Sequence, residues 1–331
     1  MDLDAFVSAH RDEWARLEQL SKQRRLTGAQ ADELIELYQR AATQLSVVRS
    51  AAPDPALTAR LSTLVARGRS AATGSHDPAW RDVARFFTVA FPAALYRTRR
   101  WWAVVALAST VLAVAAGWWV AVNPAVQASV ASPAEIRALV QNDFEAYYSQ
   151  YAASSFAARV WTNNAWVAAQ CIAFGVLGLP VLYVVASNAV NVGLTGGLMA
   201  ANDRLDLFFG LILPHGLLEL TAVFVAAGTG LRLFWAWVDP GPRTRAQALG
   251  VEGRAAASVA LGLVVVLAVS GVIEAFVTPS PLPTWARIGI GVLAELAFLT
   301  YVFTLGRRAV AAGDTGDLEH EFVGDALPVR G

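Results

Sequence analysis

His215 and Glu219 stand four residues apart inside an apolar stretch, which puts them on one face of a helix. An imidazole beside a carboxylate can share a hydrogen bond, relay a proton or bind a metal ion. Pro214 and Gly216 flank the histidine. A proline has no N–H to donate and suits the start of a helix, so the spacing predicts His215 in a first helical turn. A kinked longer span or the end of a re-entrant piece fits the same residues. Glu274 and Glu295 are further carboxylates within apolar runs. A charge at the bilayer centre costs about 2.5–3.5 kcal/mol on the insertion scale, so each needs a partner, a neutral form or a shallow position.

These residues bear on three kinds of chemistry. His-x-x-x-Glu supplies two zinc ligands where a site needs at least three from the protein. The other histidines, His10, His76 and His320, fall in segments expected on the cytoplasmic side, and completion by Glu274 or Glu295 would be unusual. No serine sits in a nucleophile elbow. The sequence therefore assigns no catalytic residue, no metal and no cofactor. The pair His215–Glu219 is expected to be a buried hydrogen bond that fixes helix packing. Asn163, Asn164, Asn188 and Asn191 form a second polar set: Asn163 and Asn164 precede the second expected crossing and can cap its start, whereas Asn188 and Asn191 are embedded in the third, where amides hydrogen-bond between membrane helices. Gly193, Gly196, Gly197 and Ala200, with Gly228 and Gly230, would let helices approach closely.

The elements that hold these residues follow from composition. The chain has 331 residues, 56% hydrophobic and 16% charged, well under the roughly 25% of a soluble domain. Residues 1–100 carry 15 of the basic and 11 of the acidic residues, half of all charges. The remainder reads as lipid-solvated. This excludes a soluble enzyme, a secreted disulfide scaffold and a disordered chain. Formal net charge is zero, so nucleic acid is not an expected partner, whereas membrane lipid is. The single cysteine, Cys171, can form no internal disulfide. Residues 1–30 have no apolar core of the kind a signal peptide carries.

In the first hundred residues, Leu3, Phe6, Val7, His10, Trp14, Leu17 and Leu20 recur at helical spacing. Thr27 and Gln30 fit a capping box ahead of a second stripe at Leu34, Tyr38, Ala41, Leu45 and Val48. After Pro53 and Pro55 comes a third, at Leu57, Leu61, Leu64 and Val65. Three helices in a small antiparallel bundle are expected. Asp77-Pro78 marks a new helix start. Residues 78–97 set Trp80, Phe86, Phe87, Phe91 and Tyr96 beside Arg81, Arg85 and Arg97, with Arg99 and Arg100 just after, as an interfacial helix or a fourth bundle helix would.

Trp101–Val122 is 22 residues without a charge and Val160–Asn202 is 43, the latter right for two crossings joined near Gly175, Gly178 and Pro180. Three later runs each contain one carboxylate. The expected spans are 101–122, 162–179, 181–201, 207–231, 256–277 and 287–306. Ser132-Pro133-Ala134-Glu135 caps an amphipathic helix over about 133–150, with Ile136, Val140, Phe144, Tyr147 and Tyr151 on one face. The positive-inside rule selects six crossings, because only then do Arg97, Arg99, Arg100, Arg232, Arg243, Arg245, Arg254, Arg307 and Arg308 share one side. The expected organisation is all-α: residues 1–97 a cytoplasmic helical bundle and interfacial helix, 98–308 a six-span membrane domain, and 309–331 a cytoplasmic tail.

The order of Asn163-Asn164, the Gly-rich hairpin with Asn188, Pro214-His215-Gly216-x-x-Glu219-Leu220 and Glu274-Ala275-Phe276-Val277-Thr278-Pro279-Ser280 resembles the stage II sporulation protein M family. Pro240-Gly241 with Arg243 and Arg245 is similar to its cytoplasmic loop. The resemblance covers roughly Trp101–Arg308. Ala189 follows Asn188 where the family usually has Gly, and the long N-terminal region is similar to the non-sporulation branch. The resemblance implies a non-enzymatic scaffold in a bacterial plasma membrane, multi-pass, with both termini cytoplasmic. It implies envelope proteins as partners, among them peptidoglycan hydrolases or a MoxR-type ATPase system. Two other classes fit the residues: a transporter or channel with a polar path around His215 and Glu219, and an intramembrane hydrolase. No inverted repeat supplies a counterpart to the His–Glu pair, which weighs against a transporter.

Overall fold

The computed structural model describes residues 3–23, 26–51, 54–72, 79–144 and 153–316. Asp77-Pro78, the segment holding Tyr147 and Tyr151, and the tail beyond residue 316 lie outside these. The chain divides into two compact units, Met1–Val83 and Ala84–Gly331.

The first unit holds α1 (Leu3–Ser21), α2 (Gly28–Ala51) and α3 (Pro55–Ala72). Their apolar stripes meet in one core of Trp14, Leu17, Leu20, Leu34, Ala41, Leu45, Val48, Leu61 and Leu64. The capping box forms: the Thr27 amide donates to Gln30 Oε1 at 3.0 Å and the Gln30 amide to Thr27 Oγ1 at 3.4 Å. It satisfies two of the N–H groups that a helix start leaves without partners. Trp14 Nε1 donates to Gln44 Oε1 at 2.6 Å, so the largest core side chain leaves no buried donor unpaired. Arg16 grips Glu33 through two bonds of 2.8 Å, the fork geometry that fixes α1 on α2.

Among the described residues, five helices of the second unit are long and apolar enough to cross a membrane: α6 (Arg99–Val122), α10 (Leu179–Ala201), α11 (Leu205–Val238), α12 with its continuation (Arg245–Val277), and the run Thr284–Ala311, made of α13 (Thr284–Tyr301), a π turn and α14 (Arg307–Ala311). They correspond to five of the six expected spans. The sixth falls on α9 (Ala153–Ala173), whose 21 residues extend about 31 Å at 1.5 Å per residue. A 3₁₀ turn at Gly175–Leu177 joins α9 to α10. The turn ends at Gly178, whose φ of 70° suits only glycine, and a Cβ there would also meet the Phe234 ring at 2.9 Å. Two helices joined by a turn thus occupy the 43-residue run.

The small residues set the spacing. A Cβ on Gly197 would lie 2.5 Å from the Gly117 carbonyl oxygen, and one on Gly193 would collide with that of Ala113, so α10 lies directly on the backbone of α6. Gly228 meets the Trp102 backbone and Gly230 the carbonyl of Cys171, which seats α11 against α6 and α9. Trp118 and Trp119 are exposed at the end of α6, as interfacial residues are. Trp102 is not. It is buried, with Nε1 donating to the Leu95 carbonyl at 3.1 Å.

Before α6 come α4 (Ala79–Arg85), a π turn at Phe86–Ala90 and α5 (Phe91–Arg97). Phe91, Ala94 and Leu95 join the core of the second unit, and the Phe91 ring fills the space a Cβ on Gly262 would take. After α6 come α7 (Pro124–Val130) and α8 (Pro133–Ala138), which begins in a full capping box between Ser132 and Glu135. A π turn over Leu139–Asp143 ends the described part of this segment, where the sequence predicts one helix to about residue 150. Val140 packs with Met199 and Phe208, flanked by Ile136 and Phe144, so the expected apolar face is the one that docks.

Candidate functional site

The helix that carries His215 runs unbroken for 34 residues. Pro214 sits inside it, so the expectation that His215 opens a helix is corrected: the histidine lies about three turns in. A proline within a helix removes one backbone bond and its ring presses on the carbonyl four residues back, here Gly210, which has no side chain to add to the crowding. Gly291 on α13 packs against the Pro214 carbonyl where a Cβ could not fit. A close neighbouring helix thus backs the proline, where the helix lacks one backbone bond.

Opposite His215, α12 passes into a π turn over Ile273–Val277, in which the Thr278 amide donates to the Ile273 carbonyl at 3.1 Å. This wide turn carries Glu274, 3% exposed, and leads to Thr278, fully buried. Both face the histidine. His215 Nε2 lies 3.6 Å from Glu274 Oε1, and Nδ1 lies 3.3 Å from Thr278 Oγ1. Ser270, one turn earlier on α12, donates to the His215 carbonyl at 3.0 Å and lies 3.5 Å from Glu219 Oε2. One potential ligand atom from each of His215, Glu219 and Glu274 falls within 4.8 Å of the others. The i, i+4 spacing identifies two members of this cluster; the third comes from 55 residues further on and faces His215 only because α11 and α12 pack together.

Glu295 stands apart on α13 and accepts a hydrogen bond from Thr221 Oγ1 at 2.9 Å. Arg287, also on α13, donates to the Thr278 carbonyl at 2.6 Å and to Thr284 Oγ1 at 3.1 Å. The expectation that Asn163 and Asn164 cap a helix start is corrected: α9 begins at Ala153, and Asn163, exposed, and Asn164, half-buried, lie near its middle. Asn188 lines an apolar cavity of about 250 Å³ between α6, α10 and α11, with Ser109 and Phe208 among its walls. His215, Glu219 and Glu274 do not line that cavity.

A second ionic cluster is not visible in the sequence as such. Glu252, 8% exposed, receives Arg232 Nε at 2.7 Å on one carboxylate oxygen and Arg232 Nη2 at 2.8 Å on the other. Arg97 Nη2 adds a third contact at 3.4 Å, and Arg232 Nη1 donates to the Arg97 carbonyl at 2.9 Å. Arg97 also holds the Thr315 carbonyl. This clasp joins α5, α11, α12 and the segment after α14. The signal that could have revealed it is an acid in a stretch rich in arginine, at the foot of an apolar run.

Sequence comparison agrees with this architecture. Residues 106–279, more than half of the chain, match the family described as Stage II sporulation protein M. Residues 4–74 match a separate family described only as a domain of unknown function, DUF8413. No curated protein and no solved structure matches the chain. The matched stretch contains His215, Glu219 and Glu274 and ends one residue beyond Thr278, so the cluster between α11 and α12 is part of what the match covers. With its apolar helices, the chain is a multi-pass membrane protein of the stage II sporulation protein M family.

Proposed function

We propose that this protein is a non-enzymatic scaffold in a bacterial plasma membrane. The carrying observation is where the polar groups of the spans go. His215 and Glu274 are 6% and 3% exposed and face each other across a helix contact, and Glu252 is clasped by two arginines. Groups placed this way hold helices together. The spans then form a fixed platform, and recognition falls to the residues outside them. Cell-envelope proteins are the partners we propose, with peptidoglycan hydrolases or a MoxR-type ATPase system as the classes implied by the family resemblance.

In this reading α9 is a sixth crossing, both termini are cytoplasmic, and residues 123–159 face outward. The support is the sharp turn at Gly175–Gly178 and the gathering of arginines on one side that six crossings give. In a Cys171→Ala background, a cysteine at Ala128 should react with an impermeant thiol reagent in intact cells and one at Ala246 should not. Labelling at Ala246 would defeat the topology. The scaffold itself is tested by crosslinking in native membranes, affinity isolation and mass spectrometry. Envelope proteins recovered in constant ratio to the chain support it. Solute flux through proteoliposomes of the pure protein would replace it with the transporter reading.

A further inference from the structure

We propose that His215, Glu219 and Glu274 form a binding site for one divalent transition-metal ion between α11 and α12. The donor set is one imidazole and two carboxylates, which suits zinc, manganese or ferrous iron and not the all-oxygen preference of magnesium or calcium. The separations fit. A tetrahedral ion with bonds of about 2.0–2.1 Å keeps its ligands roughly 3.4 Å apart. His215 Nε2 and Glu274 Oε1 already stand 3.6 Å apart, and the whole set lies within 4.8 Å, a spread that side-chain torsions can close.

Three independent features point to a cation at this spot. Glu274 Oε2 is buried and accepts no hydrogen bond, a costly condition for a carboxylate oxygen unless something else binds it. Thr278 holds Nδ1 of His215 and Nε2 is the nitrogen that faces Glu274, as outer partners of metal-bound histidines arrange it. The charge balance differs from that of Glu252. Two arginines neutralise Glu252, whereas among the described residues no arginine or lysine nitrogen comes within 4.0 Å of Glu219 or Glu274. A neutral imidazole, two carboxylates and a divalent ion sum to zero, the net charge a low-dielectric site favours. Ser270 stands beside Glu219 and gives that ligand an outer contact. The ion would staple two spans about three turns below the start of α11. The inference stands independently of any partner the scaffold docks.

The experiment uses the full chain in detergent, purified through a tag without histidines. It is stripped with chelator, reloaded with zinc, desalted and measured by mass spectrometry of the metal. We expect about one zinc per chain for a single site of this kind. Glu274→Gln and Glu219→Gln should lose most of it while Glu295→Gln keeps it. Zinc should raise the melting temperature of the wild-type chain and leave that of Glu274→Gln unchanged. Should the Gln variants fail to fold, the wild-type chain decides alone, through its zinc-dependent melting shift and the visible ligand-field bands of the cobalt-loaded form. Less than about a tenth of an ion per wild-type chain, or full zinc content in folded Glu274→Gln, overturns the proposal; the latter would place the metal on His10, His76 or His320. Absence of both the melting shift and the cobalt bands overturns it as well.

Discussion

Replacing Glu252 with glutamine should destabilise the membrane unit far more than any nearby surface charge change. The substitution keeps the side chain's size and removes its charge. Two guanidinium groups, with side chains 19% and 22% exposed, would then face each other across a neutral amide. Breaking a buried ion pair by removing one partner costs about 3–5 kcal/mol, because a charge is left without its counterion. Water reaches roughly a fifth of each arginine, which places the effect at the lower end, about 3 kcal/mol. For a unit of this size that is a fall of roughly 6–12 °C in melting temperature. Glu252→Asp keeps the charge but is too short to meet both arms of Arg232, and should cost about 1 kcal/mol. Arg308→Gln, an exposed charge on α14, should stay within about 0.5 kcal/mol of the parent. The assay is intrinsic tryptophan fluorescence on heating in detergent. A Glu252→Gln chain that melts together with Arg308→Gln would refute the reasoning and show the clasp to be a solvated pair of little worth.

The remaining expectations concern packing and the first unit. Gly230→Ala drives a methyl group into the Cys171 carbonyl and should cost about 1–3 kcal/mol through overpacking, visible as a lower melting temperature, whereas Gly253→Ala meets nothing within 4 Å and should be silent. Residues 1–75 expressed alone should be helical by circular dichroism, and Trp14→Ala should unfold them, since truncating a buried tryptophan costs about 3–5 kcal/mol and a domain this small has little margin. In that fragment the Gln44 hydrogen bond, and after it Arg40, hold the Glu13 carboxyl below its ordinary value of 4.5. A carboxylate lowered in the folded state lends stability that is full above its ordinary range and lost as acid protonates it. Acid unfolding of Glu13→Gln should therefore be shallower below about pH 4.5 than that of the parent; identical acid limbs would show the pair to be inert.

Periodicity made much of this molecule legible. Three stripes predict three helices around one core, charge-free runs predict the long apolar helices, and Thr27, Ser132 and the glycines at 175 and 178 mark starts and turns that form as their chemistry requires. These are local signals, and each acts within one or two turns of its own position. The site is different. His215 and Glu219 share a helix face and can be paired on paper, but the approach of Glu274 and Thr278 depends on how two helices rotate about their axes, and a uniformly apolar helix gives no stripe to fix that rotation. Glu252 is hidden for a related reason. The expected span starts at residue 256 and leaves the acid outside it, whereas α12 begins at Arg245, capped by Thr244 and Gln247, and carries the acid inward. Pro214 misled in the opposite sense: a residue that often opens helices sits here well inside one, sheltered by Gly210 and Gly291.

The π turn at Ile273–Val277 gives the cluster an unusual relation to chain length. Such a turn holds one residue more than the α-helical turn it replaces, and each residue of a helix advances the azimuth by about 100°. Deleting Ala275 would let the backbone relax into an ordinary α-helix, with a more regular hydrogen-bond ladder than before. It would leave Glu274 and Thr278 three residues apart, about 60° in azimuth and still on one helix face. No site residue would have changed its identity. The wide turn thus sets how closely the two side chains converge on His215, and it is the length of a single turn, not the choice of residues, that tunes the fit of the cluster.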